Sequence, residues 1–209
     1  ELLGEERRET VEDQVPLARV YVAFRAPAFG DTRLDAIDLA GQILTGGKGS
    51  RLHKRLVREE RLAQDVSVFT LPFVGGAAAC IGWVTVRPGV EIAKVEAAYL
   101  EELEKLATEA PSDDELARAK ALTEADELGS LARVEERADR LSMYATLFDD
   151  PGLINTMLPR YLSVTGEQIR DAARAIFRAD NRVILTYVPR PSESAAGTAD
   201  GETDGEEAA

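Results

Sequence analysis

In 209 residues the chain has one histidine, one cysteine and one tryptophan, and its 25 Lys and Arg are outnumbered by 38 Asp and Glu. Each scarcity excludes something. Cys80 alone allows neither an internal disulfide nor a thiolate zinc site, although it leaves the compartment open. Its setting, AAACIGWVTV, reads as a buried strand residue and not as a nucleophile. With His53 as the only imidazole, no His-x-x-Glu-His or His-Glu-x-x-His can be written, and a catalytic zinc usually takes three ligands from His and carboxylates. His53 stands among Arg51, Lys54 and Arg55, whose charge disfavours a dication, so it reads as a surface residue. A Ser-His-Asp or Cys-His arrangement would have to use that same imidazole as its base. The net charge of −13 argues against nucleic acid or an anionic membrane as a partner, and no apolar run approaches a membrane span.

The acids are unevenly placed. Residues 191–209 carry six of them with no base, among Gly, Ser, Thr and Ala, and are expected to form an acidic, disordered tail. Residues 1–14 are charged and aperiodic and read as a linker; the chain opens on Glu1 without a signal-peptide pattern, as a processed product or a cut-out domain would. Residues 15–190 are then one domain, long enough to bury a substantial core.

Within that domain the stretch from Asp31 to Thr70 organises the rest. Leu34, Ile37, Ala40, Ile43 and Leu44 recur at helical spacing behind Asp31, an N-cap residue, and Gly46 and Gly47 stop the run. Ser50 is placed to cap a second helix with Leu52, Leu56 and Val57 inward and Arg51, Lys54, Arg55, Arg58 and Arg61 on its other side. Gly41 and Gly46 have the spacing of a phosphate loop, but Gly47 stands where Lys is required and the preceding element is a helix. A tight turn needing positive φ is the better reading.

Around this stretch the period alternates between two and 3.6. Leu17 to Arg25 is a strand with Val20, Val22 and Phe24 on one face. Asp65 to Leu71 and Ala77 to Arg87 form a hairpin about Val74, Gly75 and Gly76, with Trp83 expected on the packed surface. Ile92, Val95, Tyr99, Leu103 and Leu106 mark one helix face. Ser112 with Glu115, and Thr165 with Gln168, make capping boxes. The long helix after Ser112 is expected to kink, or to divide into two stacked segments, at Gly129 and Ser130. A short helix spans Leu153 to Leu162, and Ile169, Ala172, Ala173, Ile176 and Phe177 face inward before a last strand, Val183 to Val188. This order gives an α+β fold, an antiparallel sheet with helices packed on one face.

The run GGKGSRLHKRLVREERLAQDVSVF, preceded by an amphipathic helix and by ARVYVAFRAP, resembles the C-terminal, non-catalytic half of the pitrilysin (insulinase) family of zinc metallopeptidases, which includes mitochondrial processing peptidases and many bacterial zinc proteases. The resemblance covers about residues 14 to 190. It implies a chamber closed by two halves. The zinc, its water and the base would come from an N-terminal catalytic half or a separate catalytic subunit with an inverted His-x-x-Glu-His site, and this chain would bind no cofactor and supply no catalytic base. Arg137 and Tyr144, in VEERADRLSMYATLF, match a family pair that reaches substrate beside the zinc. Seven residues are almost two helical turns, so both would point the same way about 10 Å apart, as donors to a peptide carbonyl or an oxyanion. By pattern alone an Arg and a Tyr at that spacing mean a surface charge and a half-buried aromatic, and Arg140, one turn before Tyr144, serves packing as well. The leading expectation is a zinc-free domain that binds peptide substrate and is inactive alone. The alternatives are a catalytically degenerate structural subunit and an unrelated acidic protein-binding module.

Overall fold

The structure, a computed structural model, describes residues 3–190, so the acidic tail lies outside the described residues. Strand β2 (Arg19–Ala26) shows why the domain has two unlike sides: Val20, Val22, Phe24 and Ala26 are buried, while Arg19, Tyr21, Ala23 and Arg25 alternate onto the other face. On the buried side lies α1 (Thr32–Thr45), capped by the Asp31 carboxylate, which accepts from the Arg33 N–H at 2.8 Å. Its Leu34, Ile37, Ala40, Ile43 and Leu44 are all in the core.

The sheet adds β1 (Arg7–Asp13), β3 (Ala63–Leu71), β4 (Ala78–Val86) and β5 (Arg182–Pro189) in the order β1-β5-β2-β4-β3. Every neighbouring pair is antiparallel except β1 with β5, which is parallel. This corrects two expectations: the sheet is mixed at one edge, and the segment read as a linker contains a strand. RRETVED is almost wholly exposed, so an edge position leaves no alternation to read in the side chains; the backbone ladder to β5 holds it.

Helices α2 (Ile92–Thr108), α3 (Asp113–Ala132), α4 (Val134–Phe148), α5 (Met157–Ser163) and α6 (Gly166–Ile176) complete the α+β architecture, with the core between the helices and one sheet face. Both capping boxes form. The break in the long helix falls at Arg133, whose extended backbone (ψ 129°) separates α3 from α4, and not at Gly129 and Ser130, which stay helical. Arg140 on α4 ties back across the break to Glu127 and to Ser130 Oγ. Where one short helix was expected after Asp150, a 3-10 turn (Pro151–Asn155) precedes α5.

The second helix also departs from expectation. Gly46 caps α1 and Gly47 takes φ 74°, but the Ser50 hydroxyl donates back to Gly47 O at 2.7 Å and caps no helix. His53–Glu59 is π-helical, with the Glu60 N–H donating to Arg55 O at 2.8 Å. Leu52 and Leu56 are nonetheless fully buried. Two of the basic residues of this stretch, Arg51 and Arg55, are consumed within the fold. Arg55 bonds Glu60, Glu101 and Glu102 at 2.7–2.8 Å, and Arg51 pairs with both oxygens of Glu115 at 2.6 and 2.8 Å.

Glu115 therefore serves twice, as the Arg51 partner and as the box residue returning to the Ser112 N–H at 2.9 Å. The Arg51 hydrogen bonds hold its carboxyl down at about 2, below the ordinary 4.5, even against burial. A group depressed in the folded state stabilises above its unfolded pKa and loses that contribution as pH falls through its folded one. Glu115→Gln is expected to cost about 1–2 kcal/mol at pH 7. Thermal melts of the variant and the parent should converge as pH drops from about 5 to 2; a gap that persists at pH 2 contradicts this account.

Candidate functional site

The two residues singled out by spacing, Arg137 and Tyr144, lie on one unbroken helix, α4. The helix does not present them alike. Arg137 is exposed, forms no ion pair among the described residues, and donates from Nη1 to Leu131 O at 3.4 Å. Tyr144 is 3% exposed. Its ring stacks on Phe29 at 6.4 Å between centroids and lies 6.4 Å from Phe148, while Phe29 and Phe148 are 5.4 Å apart. No hydrogen bond links Arg137 to Tyr144, and the Tyr144 hydroxyl has no hydrogen-bond partner among the described residues. Burial raises its pKa above the usual 10, opposed by the charge of Arg140, so the phenol keeps its proton through the neutral range and remains a donor. Arg140 is the arginine engaged in packing, through Glu127; Arg137 is the one left over.

Beside α4 a cleft of about 630 Å³ runs between α1, the outer edge of β3 and the α3–α4 pair, with Asp38, Thr70, Glu127, Arg140 and Tyr161 in its wall. Thr45 closes part of that strand edge, its hydroxyl bonding Val68 N and O at 3.2 and 3.4 Å. Asp38 accepts from Tyr161 at 2.6 Å and from Thr70, and burial raises its pKa. One turn before it Asp35, 1% exposed, meets Arg160 of α5 at 2.6 and 2.8 Å. These two acids are not distinguished in the sequence: they sit at inward positions of an amphipathic run, and Tyr161 and Arg160 of a distant helix, with Thr70 of β3, make their burial tolerable. They fasten α5 to α1.

His53 is half-buried with its Nδ1 unpartnered, and among the described residues no three His, Cys, Asp or Glu side chains come together to hold an ion. The donor set therefore does not fit a catalytic zinc. Trp83 is a correction as well: it is on the sheet face away from the helices, beside Tyr21, Phe69 and Arg19, not on the packed one.

No curated protein sequence matches the chain. Solved structures do. It superposes on a protease from Helicobacter pylori with a TM-score of 0.82 at 20% identity over 90% of its own length. It spans only 46% of that chain, about half. A candidate zinc protease from Bordetella pertussis matches at TM-score 0.73 and 25% identity, over 86% of this chain and 98% of that one. The inactive peptidase domain of a candidate zinc protease from Bordetella parapertussis matches at 0.77 and 24%, over 90% and 98%. Residues 1–123 match the model of the peptidase M16 inactive domain. With this match over more than half its length, the chain belongs to the peptidase M16 inactive-domain family.

Proposed function

We propose that the chain is the zinc-free half of a zinc-dependent metalloendopeptidase, closing the chamber over a catalytic half and holding the peptide there. The carrying observation is one of extent: the domain fills 98% of a Bordetella inactive peptidase domain and 46% of a Helicobacter protease, which leaves room for a second domain of similar size. The zinc belongs to that other half, and no step of the chemistry is assigned to a metal bound here.

On this reading α4 faces the peptide. Arg137 supplies an exposed, uncommitted guanidinium that can donate to carbonyl oxygens or to developing negative charge. Tyr144 supplies a phenol fixed by Phe29 and Phe148, with no partner of its own among the described residues. A fixed donor loses little freedom when it meets a transition state, which is the condition under which it lowers a barrier. The test is peptide hydrolysis in the presence of zinc by this chain alone, by the upstream or neighbouring polypeptide alone, and by the two together. Activity confined to the mixture and removed by a chelator is the expected result. A mixture that assembles yet hydrolyses nothing would favour the degenerate, structural subunit.

A further inference from the structure

Trp83, the chain's single tryptophan, marks the open face of the sheet. Strand register there lines up Asp65, Thr85, Arg19 and Tyr187 side by side across β3, β4, β2 and β5, with Ser67, Trp83, Tyr21 and Leu185 in the next row. Arg19 is the centre of the first row. Its guanidinium lies over two rings, 6.0 Å from the Tyr21 centroid and 5.9 Å from that of Trp83. Nε donates to Thr85 Oγ1 at 2.8 Å and Nη1 to Tyr21 Oη at 3.4 Å, while Nη2 has no hydrogen bond among the described residues.

Arg51, Arg55, Arg140, Arg160 and Arg182 meet carboxylates, and Arg87 is satisfied by the Ala63 and Val57 carbonyls. Arg19 is held by two rings and a hydroxyl, forms no ion pair among the described residues, and keeps one edge of its guanidinium without a hydrogen bond. Asp65 shares its row, but two strands away, about 10 Å between backbones, and it is turned to Trp83 Nε1 at 2.9 Å. Beside the guanidinium is a pocket of about 360 Å³, walled by Val15, Pro16 and Leu17 of the β1–β2 connection and by Tyr187, with Gln64 and Asp65 on its β3 side. That volume suits a small ligand, and a planar guanidinium fixed on aromatic faces with one edge free is matched in shape and charge by a carboxylate.

We propose that this pocket binds an organic carboxylate with an apolar body, the chemistry a peptide presents at its C-terminal residue. The carboxylate pairs with the free edge of Arg19, and the apolar body lies against Tyr187 and the Val15–Leu17 rim. The pocket shares no residue with the Arg137–Tyr144 pair, so its test is separate from that of the peptidase reading.

Trp83 is the probe, because it touches Arg19 and has no other tryptophan to mask it. Its fluorescence would be titrated with N-acetyl-Ala-Leu, with the corresponding C-terminal amide, and with N-acetyl-Glu-Leu amide. The free acid should give a saturable change, and the Ala-Leu amide should bind at least about tenfold more weakly, the loss expected for a charge-assisted hydrogen-bonded pair. A response to the Glu-containing amide equal to that of the acid also supports the site and assigns the carboxylate to a side chain. Arg19→Gln should abolish the response. Because that change also removes the Thr85 bond, Val15→Asp provides a second arm: it places a carboxylate at the rim and should block binding with the melting temperature kept. Equal binding of acid and Ala-Leu amide, no response to either acid, or undiminished binding by both variants would overturn the proposal.

Discussion

Gly82→Ala is expected to destabilise the domain by about 3 kcal/mol, which for a chain of this size lowers the melting temperature by roughly 5–10 °C. Gly82 is a β4 residue on the helix-facing side of the sheet, and it has no side chain because α2 needs the space. A Cβ built there would lie 1.9 Å from the Tyr99 hydroxyl and 2.8 Å from Ser67 O. Tyr99 is 1% exposed, and its hydroxyl donates to that same Ser67 O at 3.0 Å, a carbonyl on the neighbouring strand β3. The phenol thus passes beneath Gly82 to reach β3, and an added methyl must displace either a buried ring or the strand pair. The ring has little freedom to retreat, since Val95, Leu103 and Leu106 of the same helix are fully or almost fully buried around it. The clash can be isolated. In a Tyr99→Phe background the alanine no longer meets the hydroxyl, so the double variant should lose less than the sum of the two single changes. Additivity, or a Gly82→Ala protein that melts with the parent, would mean that the phenol is not what keeps this position bare.

That contact shows where sequence reading stops. Tyr99 at an inward helical position and Gly82 within a strand run are each visible as residues, and the inward face of α2 is legible from its period alone. Their dependence on each other requires the register of three elements. The same holds elsewhere. The α1 face, the hairpin, both capping boxes and the inward residues of α6 follow from spacing and local hydrogen-bond chemistry, which act within a few residues. β1 does not, because an exposed edge strand has no buried face to write a pattern; nor does the π-helical turn, because Leu52, Leu56 and Val57 are compatible with either winding. Trp83 falls on the side opposite to expectation because β4 is apolar on both faces, and alternation cannot choose between two apolar sets. For the candidate site, spacing puts Arg137 and Tyr144 on one helix but does not tell the free arginine from the tethered one. Arg140 is tethered by Glu127, on a helix that ends before α4 begins.

Tyr144→Phe should leave the domain's stability nearly unchanged and lower peptide turnover by the assembled enzyme about 100- to 1000-fold, the effect of removing one fixed donor from a developing negative charge. The two halves of that statement rest on separate observations. Stability is spared because the ring, stacked on Phe29 and near Phe148, is retained, and the hydroxyl that is lost has no partner among the described residues. Turnover falls because, on the proposed reading, that hydroxyl, free of protein partners among the described residues, donates to the substrate. Arg137→Ala should likewise shift stability by no more than about 0.5 kcal/mol, since the side chain is exposed and its single bond, to Leu131 O, is long. If it grips peptide in ground and transition states alike, its loss raises KM more than it lowers kcat, whereas the Tyr144 change should fall on kcat. The pH dependence separates a phenol donor from a phenolate. Burial raises the Tyr144 pKa, so the donor form persists past the usual tyrosine range, and activity lost on the alkaline side below that range has another origin. A Tyr144→Phe enzyme that melts early would reassign the residue to packing. One that melts normally and turns over peptide at the parental rate, together with an unaffected Arg137→Ala, would remove α4 from the chemistry altogether.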